Sequence, residues 1–118
     1  MDTTGDSDDS RTASADLPPS VVLLNAAELL ETRGWCQSTY YNDNGACCLV
    51  GAIGAVVLGR DDTSLDLCRV EMSHPAMALV RKVTDEIPSF WNDRPGRTRA
   101  QVISRLREAA ALAAAEGR

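Results

Sequence analysis

Gly45–Gly59 reads GACCLVGAIGAVVLG, a run of fifteen residues with no charge and no strongly polar side chain. Glycine and alanine leave room for close approach of neighbours, while Leu49, Val50, Ile53, Val56, Val57 and Leu58 supply apolar area. A helix that is apolar all round has to be buried on all sides. At about 1.5 Å per residue it measures roughly 20 Å, too short to cross a bilayer comfortably. The stretch therefore predicts the central helix of a small domain, running Gly45–Leu58, capped by Asp43 or Asn44 and closed by Gly59.

Upstream, Pro18-Pro19-Ser20 opens a helix expected over Ser20–Arg33. Leu23, Ala26, Ala27 and Leu30 follow helical spacing, and Gly34 is the stop with Arg33 near the negative end of the dipole. Residues 34–45 read as a loop that carries Trp35, Tyr40 and Tyr41, three of the chain's five aromatics. A short hairpin around Tyr41–Gly45 lacks the long alternating flanks a hairpin needs. Downstream, Arg60–Ser64 is a polar break, and in Ser64–Met72 the residues Leu65, Leu67, Cys68 and Met72 could make one or two helical turns beneath the core. Ser73-His74-Pro75 starts a third helix with Pro75 in its first position. Met77, Val80, Val83, Thr84 and Ile87 continue it, and Pro88 ends it. Ser89–Asp93 reads as a single turn, and Pro95-Gly96 as a tight one. Thr98-Arg99-Ala100-Gln101 has the form of a capping box leading a last helix to about Ala115. The expected fold is all-α: a compact bundle of about four helices around the buried Gly45–Leu58 segment.

The composition fits that class. The chain has 118 residues, enough for one ordinary domain. With 44% hydrophobic residues but only 4% aromatic, the core has to be Leu, Val, Ile and Ala, which favours helices over strands. The net charge of −5 is unevenly placed, because residues 1–16 hold five acids and one base. Residues 1–17 are rich in Asp, Ser and Thr and are expected to be a disordered acidic tail, leaving 18–118 as a single, nearly neutral helical domain. The polar start shows no signal-peptide pattern, and no run of about 18 apolar residues exists. The expected location is the cytoplasm, without a membrane partner, and with Cys36, Cys47, Cys48 and Cys68 reduced.

Four residue groups carry a resemblance: Gly34-Trp35-Cys36-Gln37, then Gly45–Ile53, then Trp91-Asn92-Asp93, then Pro95-Gly96-Arg97-Thr98. Together they resemble a family of small proteins from actinobacteria and their phages, known only as a domain of unknown function. The resemblance spans about residues 20–115. It implies a single domain and an actinobacterial or phage origin, which agrees with Arg supplying all but one of the basic residues after residue 16. It implies no activity and no catalytic residue.

Three kinds of site were weighed on the residues themselves. Cys47 beside a helix start, His74 further on, and Asn92 or Asp93 after it follow the order of a thiol nucleophile, its base and the base's orienter. Papain-like enzymes set the last two on a sheet, and no sheet is expected here, so Cys47, His74 and Asp93 are catalytic candidates only and the reading leans away from an enzyme without deciding it. The cysteine spacing lacks a C-x2-C or C-x4-C pair, and neighbouring helical cysteines point about 100° apart, so no metal or cofactor is expected. The remaining sites are for binding. Trp35 and Trp91, rimmed by Gln37, Asn92 and Asp93, could line a pocket for a ligand or peptide. Arg97, Arg99 and Arg105, with Arg94 and Arg107, form a basic cluster that could meet phosphates, against which the overall acidity argues. The favoured expectation is a small non-catalytic binding or regulatory protein with a protein partner. A Cys47/His74 enzyme and a weak nucleic-acid binder are the alternatives.

Overall fold

The computed structural model describes residues 17–118, so the acidic segment read at 1–16 lies outside the described residues. Six helices follow in order: α1 Pro19–Arg33, α2 Leu49–Leu58, α3 Leu65–Ser73, α4 Pro75–Thr84, α5 Pro88–Asn92 and α6 Arg99–Ala115. The all-α expectation holds. The four long helices anticipated are joined by two shorter ones: α3 from the ambiguous Ser64–Met72 segment, and α5 from the Ser89–Asp93 turn.

The largest interface lies between α1 and α6. It forms because Ala26, Ala27, Ala109, Ala110 and Ala113 are buried small residues that let the two backbones approach closely, with Leu23, Leu30 and Leu106 filling the seam. α2 packs on α1 and is flanked by α3 and α5, while α4 closes on α6. Leu17, assigned on sequence to the tail, packs against the core from just outside α1.

Two boundaries and one cap differ from the sequence reading, for reasons the hydrogen bonds show. α2 starts at Leu49 and not at Gly45, because residues 46–48 are extended and bonded to the preceding loop. Cys47 N donates to Gly34 O at 3.0 Å, Cys36 N to Cys47 O at 3.0 Å and Cys48 N to Tyr40 O at 2.9 Å. Its cap is Cys48, whose sulfur accepts from Gly51 N at 3.3 Å, in place of Asp43 or Asn44. The helix is also not buried on all sides. Leu49–Gly54 are buried, whereas Ala55, Val56, Val57 and Leu58 are half-exposed. α4 stops at Thr84, short of Ile87, because Asp85 turns into the left-handed region at φ 60° and donates to Arg81 O at 2.7 Å.

Two expected caps are present as read. His74 caps α4, with Nδ1 accepting from Ala76 N at 3.0 Å. Thr98 and Gln101 complete the capping box of α6, at 3.2 and 3.0 Å. Gly51 and Gly54 serve close packing. A Cβ on Gly51 would stand 2.4 Å from Tyr40 O, and one on Gly54 would stand 2.1 Å from Leu67 Cδ1.

Candidate functional site

The residues 34–48 have little regular structure of their own, so their polar groups need partners elsewhere. Asn92, at the end of α5, supplies them. It is the buried polar residue of the core, with 0% exposure. Its Oδ1 accepts from Trp35 Nε1 at 2.7 Å and from Leu49 N at 3.0 Å; its Nδ2 donates to Cys36 O at 3.3 Å and to Asp93 Oδ1 at 2.9 Å. Leu49 N belongs to the first turn of α2, where no intrahelical acceptor exists. One amide thus ties the aromatic loop, the N-terminus of α2 and α5 together. Gln37 Nε2 adds bonds to Asn92 O at 3.0 Å and Arg94 O at 2.9 Å, and Ser38 N donates to Asp93 Oδ1 at 2.9 Å. Ser38 is a non-glycine residue at φ 71°, a strained conformation that this bond to Asp93 holds in place.

Trp35, Gln37, Asn92 and Asp93 therefore come together, as the pocket reading requires, but three of them face inward. Trp35, Gln37 and Asn92 are the knot itself. Trp91 is 6% exposed and covered by Arg97, whose guanidinium lies 3.9 Å from the ring centroid and donates through Nε to Trp91 O at 3.0 Å. Asp93 alone turns to solvent. It lines a concavity of about 380 Å³ with Ser38, Thr39, Tyr40, Cys48 and Ser89. Sequence reasoning missed Tyr40 and Ser89; the aromatic count in the loop pointed toward Tyr40, whereas Ser89 had no signal of its own.

The thiols are not prepared for nucleophilic work. Cys47 is fully buried, and burial pushes its thiol up, against a smaller opposing pull from Arg33. Burial pushes Cys48 up to about 12. His74 is held down by burial, and its Nδ1 is occupied by Ala76 N. A reactive cysteine needs the reverse, a stabilised thiolate beside a free base. Among the described residues, no group of three or more His, Cys, Asp or Glu side chains could hold a metal ion.

The basic cluster is largely committed. Arg94 pairs with Glu86, Arg105 with Glu108 at 2.6 Å and Arg107 with Glu31 at 2.5 Å, leaving Arg97, which lies on Trp91, and Arg99 as the members with no ion-pair partner among the described residues. Arg97 and Arg105 line a shallow depression beside Trp91. Arg99 lines a second one next to Arg107.

The α3 residues expected beneath the core divide: Leu67 is buried, but Leu65, Cys68 and Met72 face outward because the helix turns only one face to α2. Leu65 is 69% exposed, Met72 75% and Phe90 63%. Leu65, Cys68 and Met72 fall on one face of α3 by their spacing of three, four and seven. Phe90 follows Ser89, whose N–H donates to Glu71 Oε2 at 2.9 Å, so the α3 face and the start of α5 adjoin.

The chain is thus an all-α domain whose loop–helix junction is knotted through one buried asparagine, with a cleft lined by Asp93 beside it and exposed apolar side chains on α3 and α5. It belongs to a family of unknown function, DUF6197, whose model matches residues 14–112. Comparison with curated proteins and with solved structures finds no match. Among the described residues no helix is long and apolar enough to cross a membrane.

Proposed function

We propose that this protein is a non-catalytic binding or regulatory protein that acts through a protein partner. The observation that carries the proposal is that Leu65 and Met72 on one face of α3 and Phe90 on α5, two helices joined by the Ser89–Glu71 bond, are large apolar side chains each more than half exposed. Single exposed apolar residues are ordinary, but adjoining ones on a short helix mark interaction surfaces. The buried thiols of Cys47 and Cys48 and the capped His74 lend nothing to the Cys47/His74 alternative. The ion pairs on α6 leave little free positive charge for nucleic acid. An actinobacterial or phage origin belongs to the same proposal, with the partner then a protein of the host.

The test is comparative affinity capture. A protein retained by the wild-type chain should be lost with Leu65→Ser plus Met72→Ser plus Phe90→Ser, and kept with Arg99→Ala plus Arg105→Ala. Retention by the first variant, or loss with the second alone, overturns the reading. All three replaced side chains are exposed, so the first variant should keep the wild-type urea midpoint.

A further inference from the structure

We infer that the cleft between Ser38–Tyr40 and Ser89–Asp93 receives a basic side chain, Lys or Arg, from a partner segment whose apolar flanks lie on Phe90 and Met72. The inference rests on the partner-binding reading and specifies the chemistry of the partner.

Three observations converge on it. The cleft has room for one long side chain, at about 380 Å³. Its lining is hydroxyls, a phenol, a thiol and one charge, Asp93. Asp93 Oδ1 is taken by Ser38 N and Asn92 Nδ2, while Oδ2 makes no hydrogen bond within the described residues. A carboxylate oxygen left without a partner at a cleft is an acceptor for an ammonium or guanidinium group, whose apolar stem the rest of the lining can take.

Asp93 is the one formally charged residue that lines the cleft. Burial pushes up Cys36, Cys48 and Tyr40 first; Asp93 adds to Cys36 and, least of its neighbours, to Cys48, while Cys68 and Glu71 add to Tyr40. Nearby cations are engaged elsewhere, Arg94 with Glu86 and Arg69 with Asp66 at 3.2 Å. Complementarity therefore calls for a positive group from outside. The apolar rim selects a polypeptide over a free small cation, because Phe90 and Met72 offer area that an isolated ammonium ion would leave uncovered.

The experiment is a titration of the isotopically labelled full chain, followed through backbone amide shifts, with Ac-Leu-Arg-Leu-NH2, its Lys and citrulline counterparts, and butylguanidine. Saturable shifts at Ser38–Tyr40 and Ser89–Asp93 are expected with the Arg and Lys peptides. Affinity should fall at least tenfold with citrulline, with butylguanidine, and in Asp93→Asn. Asparagine still accepts from Ser38 N, so that variant should fold, and Glu71→Gln provides a second, milder loss. No saturable shift, equal affinity for citrulline, or full affinity in Asp93→Asn overturns the inference. Butylguanidine binding as tightly as the peptides overturns the polypeptide assignment. Partner capture separates the two levels. Loss with the Leu65/Met72/Phe90 variant but not with Asp93→Asn sinks the cleft and leaves the surface standing; loss with neither sinks both.

Discussion

Replacing Asn92 by Ala should destabilise the fold more than any other single polar substitution in the chain. The side chain is fully buried and bonded to four groups. Its removal strands Leu49 N, which is buried, and Trp35 Nε1 and Cys36 O, which are half-buried. Each buried polar group left unsatisfied costs about 1–3 kcal/mol. Discounting the two half-buried groups, the sum is about 3–5 kcal/mol, out of roughly 6–15 kcal/mol for a domain of this size. With a urea slope of about 2 kcal/mol per molar, the midpoint should fall by about 2 M. Trp35 and Trp91 both adjoin the site, so tryptophan fluorescence reports the unfolding directly. Asn92→Asp adds a pH signature. It keeps the acceptor but places a second oxygen against Cys36 O and Asp93, which raises the introduced carboxyl's pKa in the folded state above its unfolded value. The folded state then holds its proton more tightly, so this variant's deficit relative to wild type shrinks below the unfolded pKa and grows as pH rises through the folded one. A midpoint for Asn92→Ala within 0.5 M of wild type, taken as about 1 kcal/mol, would refute the reasoning.

Gly51→Ala should lose roughly 1–3 kcal/mol although alanine favours helix, because the added Cβ meets Tyr40 O at 2.4 Å and a backbone carbonyl cannot swing aside; calorimetry checks this, and a raised melting temperature would contradict it. Ellman's reagent on the native protein should label exposed Cys68 quickly and half-buried Cys36 slowly, with Cys47 and Cys48 reacting only on unfolding; rapid labelling of Cys47 would reopen the enzyme alternative. Arg33 bonds Asp61 through both nitrogens at 3.0 and 2.7 Å and holds its carboxyl below the usual range, an effect that its burial partly opposes. That stability is present above the ordinary carboxylate pKa and lost as pH falls through the depressed one. Both partners are partly exposed, so Asp61→Asn should cost about 0.5–1 kcal/mol at neutral pH and nothing in strong acid, measured by urea titration across pH.

Much of the architecture was written locally. Pro19 near the start of α1, His74-Pro75, and the Thr98/Gln101 box are signals within one turn, and each helix begins within a residue of where its signal stands. Helix α2 was misread at its N-terminus because the reason it starts late is not local. Residues 46–48 are drawn into extended pairing by a loop ten residues upstream, and the first free N–H is satisfied from Asn92, 43 residues downstream. Periodicity cannot register such a bond. The same limit explains the site. Trp35, Gln37, Asn92 and Asp93 stood out as an aromatic–polar set, but nothing in their order distinguishes a pocket rim from an internal knot. The outward face of α3 reads as core because Leu65 and Met72, spaced seven apart, are what a core-facing helix also displays.

The central claim is that the exposed apolar side chains of α3 and α5 are where another protein sits. The most direct measurement places a photo-crosslinking phenylalanine analogue at Phe90, and separately at exposed Ala111 on α6, in the native cell. The account predicts one discrete adduct from the Phe90 position, absent from Ala111 and abolished by Met72→Ser. No discrete adduct at Phe90, or the same adduct from both positions, would contradict it.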